Sequence, residues 1–144
     1  MNANAFAVSA SGLAAHRLRM DVIAANLANA HSSATPEGGP YRRRDVVLRA
    51  EPSSDAFDEM LSDAASPGMA VRVDRVVSDS RPPRMTYDPG HPHANGDGYV
   101  AMPNVDVVTE MVDLMSATRA YEANVAAINA TKRVLETALE IGQA

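Results

Sequence analysis

The chain lacks cysteine and tryptophan altogether, and it holds only four tyrosines and two phenylalanines among its 144 residues. The missing cysteines exclude disulfide bonds, thiolate nucleophiles and cysteine-ligated zinc sites. The scarcity of aromatic side chains matters as well, because much of the 46% apolar content is alanine, which buries little area per residue. A core built from such residues is thin, and a thin core usually gains surface from a partner.

Long apolar runs and an excess of basic residues are also missing. No segment approaches the roughly 18 consecutive apolar residues of a membrane-spanning helix, so we expect no direct membrane span. Residues Met1–Ala10 lack the basic start and compact apolar stretch of a secretory signal peptide. Any export is therefore expected to use a route without a cleaved signal. The net charge of −5 argues against a nucleic-acid partner, whose binding requires basic surface.

The first helical pattern covers Ala3–Ala30. Apolar side chains recur there every seven residues, with one intervening apolar position near the end: Phe6, Leu13, Met20, Leu27 and Ile23. Gly12 costs about 1 kcal/mol relative to alanine inside a helix. It is either a tolerated flaw or a point of close packing against a neighbouring backbone. Serine, proline and glycine residues between Ser32 and Pro40 predict a loop after this helix.

The strongest periodicity in the chain covers Asn104–Ile141. Its members alternate in steps of four and three, as in a coiled-coil seam: Val107, Met111, Leu114, Thr118, Tyr121, Val125, Ile128, Lys132, Leu135 and Leu139. Asn104 is the predicted N-cap, and Gly142 is well placed to end the helix. Lys132 either tunes register and partner number or extends its ammonium group into solvent.

About sixty residues between the helices are rich in proline, glycine and turn signals. Short runs between these turn signals, two of them rich in valine, predict four strands: Val46–Leu48, Val71–Val77, Arg84–Tyr87 and Tyr99–Met102. Asp55–Ser62 is interpreted as either a helical turn or a disordered insert.

The predicted fold class is mainly α with a small β-rich insert. We expect a helix and loop over residues 1–35, a central β-rich domain over 36–103, and a helix over 104–144 that pairs with the first in a coiled-coil hairpin. At about 1.5 Å per residue the helices extend roughly 40 and 57 Å, more than so small a β unit covers. The apolar surface left over predicts assembly with other chains, as in a helical polymer. The side chains expected to pack between helices or subunits are Leu13, Met20, Ile23, Leu27, Met111, Leu114, Tyr121, Val125, Ile128, Leu135 and Leu139.

Two asparagines three residues apart, Asn26 and Asn29, close the first predicted helix. This arrangement resembles the signature of the flagellar axial proteins, and further segments resemble the proximal-rod proteins of that family. These segments are Gly38–Arg44, Tyr87–Pro92, Gly98–Val100, Pro103–Asp106, Glu110–Met115 and Arg119–Asn124. Asn124, the last residue of the last segment, is a further residue of the family motif. Asn26 and Asn29 are expected either to cap the helix end through their side chains or to hydrogen-bond a neighbouring subunit.

The resemblance implies a structural rod subunit that transmits torque and lines an export channel through helical assembly. Its implied partners are copies of itself, other rod proteins of the FlgB, FlgF and FlgG types, the rod-base adaptor FliE and the flagellar type III export apparatus. The implied location is the periplasmic rod of the basal body, reached without a cleaved signal peptide. The terminal helices are expected in the inner tube and the β-rich part outside it, with no cofactor.

The segment Asp88–Asp97 is the best candidate for a chemical site. His91 and His93, with an aspartate at either end, suggest a metal or calcium site. However, Pro92 separates the histidines and the regular acidic spacing of a calcium loop is absent, so we interpret these residues as tight turns. No metal site is predicted.

Two further polar groups allow a chemical interpretation and a structural one. Arg42–Arg44 either bind phosphate or nucleic acid or, as is commoner in an acidic protein, make salt bridges or contacts between subunits. His16 in the first helix is expected to be a packed or surface histidine rather than a metal ligand.

No catalytic motif is present, since the chain has neither a nucleophile elbow, a phosphate-binding glycine loop nor a helical set of His and carboxylate ligands. An enzyme is therefore not expected. Three functions remain open: a rod subunit, a non-polymerising helical adaptor or secretion-associated interaction protein, and a hydrolase using the His91–Asp97 loop. Assembly into tubes separates the first two, and the metal content of the pure protein tests the third.

Overall fold

The computed structural model describes residues 2–52 and 69–142. They form helix α1 (Asn2–Ala28), strands β1 (Arg44–Pro52), β2 (Met69–Ser78), β3 (Arg84–Tyr87) and β4 (Tyr99–Met102), and helix α2 (Val107–Gly142). The prediction of two terminal helices around a small β region is confirmed, and β3 and β4 have the predicted bounds. The predicted turn or insert at Asp55–Ser62 lies outside the described residues. Neither helix carries a stretch long and apolar enough to cross a bilayer within the described ranges.

The β region consists of two separate two-stranded antiparallel sheets, one from β1 and β2 and one from β3 and β4. In the first sheet Val47 pairs with Arg75 while the next residue, Leu48, pairs with Val73, so β2 carries a bulge at Asp74. A bulge increases the local twist of a strand pair. The first sheet is therefore curved beside α1, which contacts both of its strands.

Helix α1 closes part of the edge of β2. The Ser11 hydroxyl accepts a hydrogen bond from the backbone N–H of Val71 at 3.0 Å and donates to the carbonyl of Val8 at 2.7 Å. An unpaired strand N–H is costly when buried. Ser11 satisfies this one and ties the helix to the sheet.

The two helices pack against each other and run in opposite directions. Asn26 near the end of α1 meets Glu110 near the start of α2, and Gly12, fourteen residues earlier, meets Asn124, fourteen residues later. Between these points, the hydroxyl of Thr118 hydrogen-bonds the sulfur of Met20 at 3.5 Å. These contacts set one register for the pair.

The start of α2 differs from the sequence prediction, because Asp106 rather than Asn104 caps the helix. One Asp106 carboxylate oxygen accepts from the N–H of Val108 at 3.0 Å and the other from the hydroxyl of Thr109 at 3.0 Å. These bonds hold the pKa of the Asp106 carboxyl below its ordinary value. An aspartate accepts hydrogen bonds from the free N–H groups of a helix start, and its negative charge is also stabilised by the positive end of the helix dipole. The helix is therefore capped by Asp106, the residue directly before it, and not by Asn104.

The buried core is thin. Its fully buried apolar side chains are short, and two polar residues are buried as deeply. Among the largest completely buried side chains are Glu110 and Asn26, both 0% exposed. The apolar members within the described residues are Ala15, Ile23, Ala30, Val46, Val100, Val105 and Ala117.

The side of α2 that faces α1 agrees with the predicted seam at every second position only. At the alternate positions, the residue toward α1 is the one just before the predicted residue. Four members of the predicted seam are half-buried: Leu114, Tyr121, Ile128 and Leu135. The alternate positions toward α1 are the buried or half-buried Glu110, Ala117, Asn124 and Thr131. Met111, Val125 and Leu139, predicted for packing, are exposed in the single chain, whereas Ile23 is buried and Leu13, Met20 and Leu27 are half-buried. Contacts of the exposed three with other subunits stay a prediction.

Candidate functional site

The side chain of Asn26, near the end of α1, is a fully buried polar group with four hydrogen bonds. Its amide nitrogen donates to the backbone carbonyl of Arg44 at 2.8 Å and to Glu110 Oε2 at 2.9 Å. Its oxygen accepts from the Arg44 N–H at 2.9 Å and from the Tyr41 hydroxyl at 3.0 Å. An amide side chain has two donors and two acceptor positions, so its bonding capacity is fully used. Asn26 binds both backbone groups of Arg44 as a neighbouring strand would.

Glu110 carries the same network into α2. Its second oxygen, Oε1, lies 2.5 Å from Nε of Arg43, whose guanidinium group also lies 3.5 Å from Asp45 and 3.8 Å from Asp113. A buried carboxylate is tolerated only when it is paired and hydrogen-bonded. We call Asn26, Tyr41, Arg43, Arg44 and Glu110 the polar junction. It joins α1, the entry to β1 and the first turn of α2 at one point.

The protonation behaviour of the polar junction follows from its geometry. Burial disfavours the charged form of Arg43, but the hydrogen bond and negative charge of Glu110 outweigh burial and raise the pKa of Arg43 above its ordinary value. Burial also raises the pKa of the Tyr41 hydroxyl, with Arg44 opposing the rise and Glu110 adding to it. Arg43 is therefore a permanent cation and Tyr41 a hydrogen-bond donor at neutral pH.

A second close contact lies in the middle of the helix pair, where Gly12 meets Asn124. A Cβ atom at Gly12 would lie 2.7 Å from Asn124 Oδ1, closer than real Cβ contacts allow. The Asn124 amide is itself fixed, because it donates to the carbonyl of Ala120 at 2.8 Å. Gly12 is thus required by close packing, although against a side chain and not a backbone.

Asn29 has a different role from Asn26. Its side-chain nitrogen donates to the carbonyl of Ala25 at 2.9 Å, and its oxygen accepts from the Ser32 hydroxyl at 3.2 Å. The side chain caps the last turn of α1 at the Ala25 carbonyl, which also accepts the backbone N–H of Asn29 at 3.1 Å. Asn29 thus takes the expected role of a cap, whereas Asn26 takes neither expected role and instead makes a tertiary contact within the chain.

Two parts of the chain match known families. Residues 6–31 match the family described as "Flagella basal body rod protein", and residues 97–141 match "Flagellar basal body rod FlgEFG protein C-terminal". The curated protein "Flagellar basal-body rod protein FlgC" of Bacillus subtilis (strain 168) is 46% identical over 142 residues, covering 94% of this chain and 95% of that protein. The protein of the same name from Salmonella typhimurium is 42% identical, with 97% of each chain covered. The Borreliella burgdorferi counterpart is 43% identical, with 94% of each covered.

The chain belongs to the FlgC family of flagellar basal-body rod proteins. It is therefore a structural subunit of the flagellar basal-body rod, as the sequence resemblance implied. The matched range 6–31 contains Asn26, and the matched range 97–141 contains Glu110 and Asn124. The polar junction thus joins the two segments of the chain that carry the match to rod proteins.

The loop between β3 and β4, which contains His91 and His93, is organised by turns. Asn95 Oδ1 accepts from the N–H groups of Asp97 and Tyr99 at 3.0 and 2.9 Å, and the His93 N–H donates to Nδ1 of His91 at 3.1 Å. These are the local bonds by which turn residues replace regular structure. The part of the chain that the structure describes contains no group of three or more His, Asp or Glu residues suited to hold a metal ion.

The side chains of the three consecutive arginines, Arg42–Arg44, point to different surroundings. Arg43 enters the polar junction, Arg44 lies with its guanidinium carbon 5.9 Å from the centre of the Tyr41 ring, and Arg42 is exposed. Arg42 and Arg43 contribute to a cleft of about 110 Å³ that also contains Asp79 and Arg81, which pair with each other. Arg43 is thus in an internal salt bridge, one of the two roles expected of this cluster.

Sequence reasoning weighed a role for Asn26 and expected salt bridges from Arg43, but it missed Glu110 and Tyr41 as partners of Asn26. The available signal was weak, since the sequence shows Glu110 only as an acidic residue near the start of a helix, where the helix dipole favours negative charge. His16 was expected to be packed or at the surface, and it is half-buried. Its Nδ1 and the Nε of Arg19, three residues along α1, are enclosed without a hydrogen-bond partner among the residues that the structure describes.

Proposed function

We propose that this rod subunit works by stiffness: its two helices form a coiled-coil hairpin that joins other subunits in a tube, transmits torque and lines the export channel. The single observation that carries the proposal is the polar junction. It holds α1, the entry to β1 and α2 in one register, so a force on either helix passes to the β region through buried hydrogen bonds and an ion pair. No bond is made or broken in such a function.

The domain arrangement proposed from the sequence fits the junction. Residues 1–35 and 104–144 supply the helical inner part and 36–103 the outer β-rich part. Asn26 lies in the first range, Tyr41, Arg43 and Arg44 in the second, and Glu110 in the third. The junction therefore links all three. The packing residues proposed for contacts between subunits are headed by the exposed Met111, Val125 and Leu139.

The proposed partners are copies of this chain, rod proteins of the FlgB, FlgF and FlgG types, and the rod-base adaptor FliE. The proposed location is the periplasmic rod, reached through the flagellar type III export apparatus. We expect α1 to remain on the exported protein. Its removal would leave the buried Glu110 and both backbone groups of Arg44 without the partners that Asn26 supplies.

The test is complementation of a Bacillus subtilis strain that lacks its own FlgC protein. The chain should enter basal bodies and restore swimming, and it should stay in the cytoplasm when the export gate is deleted. Mass spectrometry of the exported chain should find α1 intact. Full export without the gate would rule out the proposed export route. A chain folded in the cytoplasm and absent from basal bodies would instead support the non-polymerising adaptor.

Variants sharpen this test. Leu114→Asp and Ile128→Asp should each abolish rod assembly, because each buries an unpaired carboxylate at a cost of several kcal/mol. Changing His91 and His93 together to alanine should leave assembly intact, which makes it the matched control. Swimming cells with the aspartate variants and non-swimming cells with the histidine variants would reverse the assignment of roles.

A further inference from the structure

The helix pair exposes one face on each helix, directly opposite the side where the helices meet. On α1 the exposed positions recur in steps of three and four and are mostly alanine. With about 100° per residue, their mean direction lies roughly 170° from the line through Gly12, Ile23 and Asn26 that faces α2. We call this the outer face of α1: Ala7, Ala10, Ala14, Arg17, Asp21, Ala24 and Ala28.

The outer face of α2 is defined in the same way and carries large apolar side chains. Val108, Val112 and Met115 are 70%, 60% and 56% exposed, and Arg119 and Glu122 continue the same line. Its mean direction is also roughly opposite the side that faces α1. A shallow groove of about 350 Å³ borders it and is lined in part by Met115, Arg119 and Glu122.

The charges on the two outer faces are complementary when the helices run in opposite directions. Arg17 and Asp21 are about one helical turn apart on α1, and Arg119 and Glu122 are about one turn apart on α2. In an antiparallel pair Arg17 therefore lies opposite Glu122 when Asp21 lies opposite Arg119. None of these four side chains is in an ion pair within the described part of the chain.

The apolar side chains match in the same register. Ala24 lies opposite Met115 and Ala28 opposite Val112, so large side chains of one helix meet small ones of the other. If the α2 face instead paired with itself and kept the Arg119–Glu122 contacts, Val112 would lie opposite Asn129. Pairing α1 with itself would bury little beyond methyl groups.

From these faces we infer that the outer face of α2 in one subunit packs antiparallel on the outer face of α1 in a second copy of this chain. This inference rests on the proposed rod function and deepens it by naming the two faces. The contact joins two different surfaces, so it does not close at a dimer and can repeat along a ring or a helix. Each subunit then adds an α1–α2 pair to a continuous layer of alternating helices.

Cross-linking tests the register directly, because the chain has no cysteine of its own. Two differently tagged copies, one carrying Ala24→Cys and the other Met115→Cys, are expressed together in the complemented cells, and basal bodies are isolated and mildly oxidised. We expect a disulfide-linked pair of the two tags, at least about tenfold above either like pair, since a specific contact favours one geometry. A copy with Glu37→Cys in place of Met115→Cys is the control and should not link.

Each other outcome overturns the inference. A dimer of Met115→Cys with itself would show that the α2 faces pair with each other, and a link to a different rod protein would show that the occupant is not a second copy. Both tagged copies in basal bodies of swimming cells without any link would also refute it while leaving the rod function intact. Absence of the chain from basal bodies would contradict the rod function as well.

Charge reversal gives an independent readout. Arg17→Glu or Glu122→Arg alone should reduce incorporation into basal bodies at least about tenfold, since like charges across an interface are strongly unfavourable. The two changes in one chain, or the two variants expressed together, should restore it, because each contact again joins opposite charges. Glu37→Arg and Arg42→Glu are matched controls without expected effect. Failure of the double variant to recover, with circular dichroism showing both singles folded, would overturn the proposed register.

Discussion

The two ends of the helix pair are held by different kinds of contact. Where α1 ends and α2 begins, a closed polar network buries Asn26 and Glu110 completely. At the other end, Leu135 is half-buried and Leu139 is 66% exposed. The first end is specified by hydrogen bonds that allow one register, whereas the second has apolar side chains that are partly or mostly exposed in the single chain. Contacts of this second end with other subunits are part of the proposed assembly.

The largest expected effect comes from Asn26→Asp, which keeps the shape of the side chain and removes both donors. The new carboxylate would lie beside Glu110 in a buried site, so we expect a loss of about 3–5 kcal/mol in unfolding free energy. Urea unfolding followed by circular dichroism measures it. Asn29→Asp is the matched control: it loses one bond to Ala25 and places a charge at the helix end, and it should cost only about 1–2 kcal/mol. Equal losses in the two variants would show that the polar junction contributes no more to stability than the cap at the end of α1.

In the middle of the pair, Gly12→Ala separates packing from helix propensity. The added methyl group would overlap Asn124, and overpacking of this kind costs about 1–3 kcal/mol against the roughly 1 kcal/mol that alanine gains over glycine in a helix. The net change should be a loss of up to about 2 kcal/mol. In an Asn124→Ala background the same change should stabilise the chain by about 0.5–1 kcal/mol, because the overlap is gone. A loss of the same size in both backgrounds would mean that Asn124 is not the obstacle.

Tyr41→Phe tests the polar junction with a smaller change. Removing the hydroxyl leaves one acceptor position of Asn26 unfilled, which should cost about 1 kcal/mol at neutral pH. Because burial raises the folded-state pKa of Tyr41, its contribution is fully present below the ordinary value of about 10 and is lost as the pH rises through the folded pKa. The difference in unfolding free energy between the wild type and Tyr41→Phe should therefore shrink above about pH 10. A difference that grows with pH would contradict the assigned role.

The smallest effect is expected at the far end. Leu135→Ala removes a half-buried side chain and should cost under about 1 kcal/mol in the single chain, well below the 2–5 kcal/mol of a fully buried leucine. Its effect on incorporation into basal bodies should be larger than its effect on stability. Urea unfolding of the pure chain and counting of rods in complemented cells compare the two. A loss above about 2 kcal/mol in the single chain would show that this end contributes to stability about as much as the end near Asn26.

Much of the local structure could be predicted from the sequence by itself. Turn residues and short runs of strand-forming side chains located the strands, with β3 and β4 at their observed bounds, and heptad spacing located both helices. The asparagine motif and the neighbouring segments indicated the family. These features depend on residues close together in the chain, and local spacing is enough to find them.

Only the tertiary structure decided which side of α2 meets α1 and which polar residues meet at the polar junction. Leu114, Tyr121, Ile128 and Leu135 lie on both the predicted and the observed seam, so the heptad pattern fits either choice of the alternate positions. The pattern favoured the apolar Met111 and Val125, whereas the folded chain turns the small or polar Ala117 and Asn124 inward. Apolar spacing marks a face that needs a partner, but it does not say whether that partner is in the same chain. Asn26 and Glu110 stand 84 residues apart, and a hydrogen bond between them follows from the packing of the elements, which no local pattern encodes.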